Sequence, residues 1–171
     1  MTVRRMCAAL FVAGCVAAGV IFPPAAVTPS AAAAVHNWTG RYVMISYASQ
    51  KQGTSIAARQ AEPDFSAGYV FVTNCAGGTC VATAVQGPAP QNPTIPRPQR
   101  YTWDGGKWLF VYDWQWDCYR GDGLPKEWAP ARSWAFYEPQ PDGSLRGMWH
   151  TDIEGGVCRG SVVMPVAAYP A

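Results

Sequence analysis

The residues best placed to do chemistry in this 171-residue chain are a few carboxylates, one histidine beside them and a ladder of aromatic rings. Asp113 and Asp117 fall on one face of an extended strand, with room between them for general acid and base roles, and His150 with Asp152 could pair in the same way. An envelope glycan hydrolase using Asp113, Asp117 or His150 is the enzymatic reading of this pattern. Carboxylates alternating along a strand are also simply its wet side. Trp108, Phe110, Tyr112, Trp114 and Trp116 share the other parity, and such rings either fill a core or line a cavity for an apolar or sugar ligand. Tyr112, Trp114 and Trp116, joined by Trp128, are the expected ligand contacts.

Other catalytic constellations are weak. Gly53-Thr54-Ser55-Ile56-Ala57 half matches a nucleophile elbow, which needs a strand-to-helix turn that this segment does not write. His36 and His150 do not make a zinc site, so no metal or cofactor is expected. Arg120-Gly121-Asp122 matches an integrin-type tripeptide, and Pro90, Pro93 and Pro96 share one edge of a polyproline helix, read here as a stiff crossover. Asn37-Trp38-Thr39 is a glycosylation sequon.

The first residues set the compartment. Arg4 and Arg5 precede an apolar run from Met6 to Phe22, and Ala32 and Ala34 then offer the small side chains that a signal peptidase selects. Residues 1–34 are the expected cleaved signal and residues 35–171 a single β-barrel domain, secreted or held at the cell wall. Val12-Ala13-Gly14-Cys15 has the residue types of a lipobox, but an acylated Cys15 should open a polar tether, and Val16 to Phe22 continues the apolar run instead. The run is shorter than the ~20 residues a spanning helix needs and is closed by Pro23-Pro24, so the mature chain should hold no transmembrane segment.

Cleavage removes Cys7 and Cys15 and leaves Cys75, Cys80, Cys118 and Cys158, an even set that two disulfides would use in an oxidising compartment. It also removes Arg4 and Arg5 from the 13 basic residues that face 11 acidic ones, so the mature part is neutral overall. Scattered charges of this kind make no footprint for nucleic acid.

All eight tryptophans lie after residue 35, in runs of aromatic and β-branched residues cut by Gly, Pro and Asn, with no sustained helical period. Strands are expected near 40–48, 68–75, 79–86, 99–104, 107–118, 132–138, 144–152 and 157–164. Glycine hairpins at Ala76-Gly77-Gly78-Thr79, Asp104-Gly105-Gly106-Lys107 and Pro141-Asp142-Gly143-Ser144 join them into an antiparallel meander. An even number of strands brings the last back beside the first, and closure removes exposed edges. The expected fold is therefore all-β, an eight-stranded up-and-down barrel, closed or half-closed and lipocalin-like.

Following the meander, the three hairpins share one end, and the connections 49–67, 87–98 and 119–131 share the other with the turn Glu154-Gly155-Gly156. Cys75 and Cys80 flank the first hairpin, while Cys118 and Cys158 both reach the loop end, which favours the pairs Cys75–Cys80 and Cys118–Cys158.

Tyr69-Val70-Phe71-Val72-Thr73-Asn74-Cys75, Cys80-Val81-Ala82-Thr83-Ala84, Trp103-Asp104-Gly105-Gly106-Lys107-Trp108, Pro139-Gln140-Pro141-Asp142-Gly143-Ser144-Leu145 with Gly147, and Cys158 resemble a mycobacterial family of small exported proteins. Similar units recur as extracytoplasmic modules of actinobacterial transmembrane serine/threonine kinases. The resemblance implies an envelope or secreted β module in sensing or binding, and carries no catalytic residues with it. The leading expectation is a binding or sensing module whose partner is a small apolar or cell-envelope ligand, or an envelope protein, met at the loop end. A structural or host-facing antigen without ligand is the third reading.

Overall fold

A computed structural model describes residues 37–171; the leader, Cys15 and His36 lie outside the described residues. Eight strands follow in chain order: β1 (Gly40–Ser46), β2 (Phe65–Asn74), β3 (Val81–Gln86), β4 (Arg100–Trp103), β5 (Trp108–Cys118), β6 (Glu127–Pro139), β7 (Leu145–Ile153) and β8 (Gly160–Pro170). Each pairs antiparallel with its sequence neighbours, and β8 returns to β1 to close the barrel. The disulfides are Cys75–Cys80 across the first hairpin and Cys118–Cys158 at the loop end, the latter with Cα atoms 5.8 Å apart.

Two strands run further than their composition suggests, and proline is the reason in each case. The β6–β7 ladder ends at Ala131 opposite Ile153, and the Pro130 carbonyl accepts from the Glu154 amide just beyond it. The missing N–H of Pro130 thus falls where the ladder has run out, so β6 begins at Glu127, inside the expected 119–131 loop. Pro165 plays the same part in β8: its carbonyl accepts from the Tyr47 amide, one step past the last β1–β8 pair, Ser46 with Val166.

β4 pairs with β5 only at Thr102–Leu109 and Trp103–Trp108, which leaves the rest of that β5 edge without a neighbouring strand. Segment 87–99 covers it with side chains. Asn92 donates its amide to the Gln115 carbonyl at 2.8 Å, and the Gln115 amide donates to the Thr94 hydroxyl at 3.0 Å. The proline-rich crossover is therefore an edge guard, satisfying backbone groups that an open edge would offer to another chain.

Inside, alternation sorts every strand. At the hairpin end Trp38, ahead of β1, enters the barrel and is 1% exposed. It stacks on Phe71 at 4.3 Å and meets Tyr42, Tyr101, Trp108 and Tyr137 within 6.1 Å. Burial pushes the Tyr101 and Tyr137 phenols well above their ordinary range. The indole N–H groups of Trp38 and Trp108 have no hydrogen-bond partner there. Each orphan costs about 1–3 kcal/mol, yet burying an aromatic side chain contributes about 4–6 kcal/mol, so burial wins.

The loop end is closed on one side by the 47–64 connection. Gln52 bridges to Val163 of β8, and a short 3-10 turn, Ile56–Arg59, buries Ala57 and Ala58 against Trp114, Cys118 and Cys158. Ser55 is the cap of that turn: its hydroxyl accepts from the Ala57 amide and donates to the Cys158 carbonyl at 2.6 Å. Only glycine fits at position 53, because a Cβ there would lie 2.0 Å from the Ser161 carbonyl oxygen. The half-matched elbow is thus a strap fastening the loop onto β8.

Candidate functional site

The inner wall of β5 carries Tyr112, Trp114 and Trp116 toward the loop end, in step with the buried Trp108 and Phe110. Trp149 of β7 joins them from the next strand but one, sharing the parity of the buried Leu145, Thr151 and Ile153. Trp114 and Trp116 meet edge-on at 5.4 Å, Trp116 stacks on Trp149 at 6.3 Å, and the Trp149 indole donates to the Tyr112 hydroxyl at 2.9 Å. Trp114 is nearly buried and donates to Ser133 Oγ at 2.8 Å, whose hydroxyl is bonded in turn to that of Thr151. Burial holds the Tyr112 phenol above its ordinary value, opposed by hydrogen bonds from Trp149 and Ser133.

This arrangement offers apolar ring surface in which the Trp114 and Trp149 indoles and the Tyr112 hydroxyl are already engaged. It can hold a ligand by contact and orientation. The hydroxyl pair of Ser133 and Thr151 is fully buried. Ser133→Ala leaves the Trp114 indole without its acceptor, and urea denaturation should show a loss of about 1–3 kcal/mol. A neutral result would mean that Trp114 finds another acceptor.

The residues named from sequence divide between two faces of the wall. Trp128 pairs in register with Asp117 and stands on the outside, 51% exposed, whereas Tyr112, Trp114 and Trp116 face in. All four sit toward the loop end, but they do not line one cavity. Trp149, Ser133 and Thr151 were missed by sequence reasoning; period-two alternation along β7 and β6 was the signal that could have found them.

The carboxylates lie on the outer wall. Asp113 faces Arg132 at 3.6 Å, and Asp117 bonds Lys126 at 2.5 Å. The Asp152 carboxylate accepts from His150 Nε2 at 2.9 Å, and the imidazole lies flat on Trp134 with centroids 3.9 Å apart. Arg132 stands in register between Asp113 and Asp152, so the acids are separated by a cation and face no common cleft. Among the described residues no group of histidine, cysteine and carboxylate side chains is arranged to hold a metal ion. In the Arg120-Gly121-Asp122 turn, Asp122 accepts from the Tyr119 hydroxyl at 2.6 Å and Arg120 lies 3.9 Å from Glu127.

Two concavities open at the loop end. One, of about 420 Å³, lies between Ile56, Tyr119, Leu124 and Val157. The other, of about 370 Å³, lies on the far side of the barrel, between Tyr69, the end of β3 and segment 87–99.

The barrel has a counterpart among known proteins. It is similar to the monomeric form of the M. tuberculosis PknI sensor domain, with a TM-score of 0.59 at 18% identity, covering 79% of this chain and 88% of that one. Against the dimeric form of the same domain the TM-score is 0.49 at 22% identity, covering 64% of this chain and 73% of that one. No curated protein matches the chain. The family model of the PknI serine/threonine-protein kinase sensor domain matches residues 35–170, nearly the whole described barrel, and the chain belongs to that family.

Proposed function

We propose that this protein is a sensing module working outside the cytoplasm, secreted or held at the cell wall, that binds a small apolar or cell-envelope ligand at the loop end of its barrel. Membership of a sensor-domain family supports the sensing part. The stacked, half-buried pair of Trp116 and Trp149 carries the ligand part, because it presents ring surface beside the fully engaged Trp114. Tyr112 and Trp114 back that surface from the same wall. Trp128, exposed on the outer wall, is the ring that an envelope protein would meet. The leader-like first 34 residues and the two disulfides support an oxidising compartment.

Intrinsic tryptophan fluorescence tests this reading. Titration with cell-envelope lipids or glycan fragments should shift the emission of the wild type. Trp116→Ala should abolish the shift, with a loss on the order of 2 kcal/mol in binding if the ring is a hot spot. Thermal melting measured alongside separates lost binding from lost fold. A flat response from the stable wild type across such a panel would leave the barrel without a ligand at its aromatic wall.

A further inference from the structure

The outer wall of β5, β6 and β7 is patterned in rows that cross the strands. Leu109, Phe136 and Met148 stand in one row and Val111, Trp134 and His150 in the next, which makes a band that is apolar except for one imidazole. Every member has the parity opposite to the barrel interior, and Val111 is 44% exposed. Charged rows border the band on both sides. Toward the loop end stand Asp113, Arg132 and Asp152. Toward the hairpin end Glu138 stands opposite Arg146, and Lys107 follows one step past the Trp108–Tyr137 pair. From β5 to β7 the signs therefore run minus, plus, minus on one border and plus, minus, plus on the other. Among the described residues Lys107, Glu138 and Arg146 form no ion pair, so this second border is left without partners of opposite charge.

We infer that this wall is an interface between two copies of this chain, related by a two-fold axis that runs across the strands. Such an axis lays β5 on β5, β6 on β6 and β7 on β7 with their directions reversed, so each charged border meets the opposite border of the other copy. Lys107 of each copy then faces Asp113 of the other, Glu138 faces Arg132, and Arg146 faces Asp152, while Phe136 packs on Trp134 between them. The other two-fold that brings the wall onto itself has its axis along the strands. It would set Lys107 on Arg146, Asp113 on Asp152 and Arg132 on Arg132, and like charges reject it. A sugar fits this wall less well, because one face of each ring is already taken: Lys107 Nζ lies 4.9 Å above Phe136, and His150 lies flat on Trp134. The four rows span roughly 20 Å along the strands. That is the extent of a small, transient interface, so a dissociation constant on the order of 100 μM is expected.

Sedimentation velocity of the purified full chain, from about 10 μM to about 1 mM, should show a reversible equilibrium between monomer and dimer. Arg132→Glu and Glu138→Arg lie at exposed positions, and each sets like charges against one another on both sides of the axis. Each alone should weaken the dimer at least about tenfold. Mixed in equal amounts, the two single variants should dimerise with each other, because every carboxylate at these positions then meets a guanidinium of the other variant. The double variant, with both substitutions in one chain, should dimerise with itself for the same reason. Thermal melting is measured alongside, and Glu138→Arg, which disturbs no ion pair printed within the chain, keeps the test decisive if Arg132→Glu melts early. A chain that stays monomeric at about 1 mM would leave the wall to a different partner and overturn the inference. So would association that ignores both single variants, which would come from another surface, or a failure of the mixture and the double variant to recover the dimer.

Discussion

Replacing Trp38 by alanine should cost about 3–5 kcal/mol of stability, the largest single effect expected in this molecule. The residue precedes the first strand, yet it is 1% exposed and is ringed by aromatic side chains from five positions on β1, β2, β4, β5 and β6. Its removal empties the hairpin end of the barrel, where Phe71 and Trp108 are so confined that they cannot collapse into the space. The orphaned indole N–H returns only part of that loss, because its desolvation penalty vanishes with the side chain. Equilibrium unfolding in urea reads the difference directly. A loss below about 1 kcal/mol would mean that the segment before β1 lies on the barrel rather than in it. The experiment also bears on the Asn37-Trp38-Thr39 sequon, since a glycan on exposed Asn37 would have to leave Trp38 seated.

The double substitution Cys118→Ser with Cys158→Ser should cost about 4 kcal/mol on the chain-entropy account, against about 2 kcal/mol for the equivalent change at Cys75 and Cys80. The difference comes from loop length: the sequence separations are 40 and 5 residues. Losing the longer bridge has a further consequence at the loop end. The Cys158 carbonyl is the acceptor for Ser55, and both bridge sulfurs pack beneath Ala57 and Ala58, so the strap should lift with the bridge gone. Hydrogen exchange at Ala57, Ala58 and Gln60 should accelerate in the double mutant and stay slow when the hairpin bridge is removed. Equal destabilisation by the two pairs would show that the unfolded chain is compact enough to cancel the loop-length term.

Much of this architecture is legible in the sequence because its information is local. Glycines at Gly77, Gly78, Gly105 and Gly143 adopt the positive φ that tight hairpins demand, and three such hairpins, joining β2 to β3, β4 to β5 and β6 to β7, commit the chain to a meander. Period-two alternation along β5 places Trp108, Phe110, Tyr112, Trp114 and Trp116 on one wall whatever lies opposite. Even strand number and the two cysteine pairs then follow from which connections share an end. Proline is where local reading fails: Pro130 and Pro165 look like strand breakers, and only the point at which a neighbouring ladder stops makes them harmless.

The site belongs to the other category. That Trp116 stacks on Trp149, that Trp114 is bonded to Ser133, and that Arg132 stands between Asp113 and Asp152 depend on the register of β6 and β7 against β5. A shift of one residue would send Trp128 inward and Ala129 outward, and Arg132 with Glu138 into the barrel. Likewise, Trp38 inside the barrel, Ala57 and Ala58 across one half of the loop end, and Asn92 standing in for a strand along β5 are solutions to the filling of space. The sequence by itself determined strand count and hairpins, which follow from nearest-neighbour chemistry, and the disulfide pairing, which follows from the meander those hairpins dictate. Only the tertiary structure decided which half of the loop end is sealed by the strap and which is left as a hollow with Gln99 and Arg97 in its sides, because packing density is satisfied between segments distant in the chain.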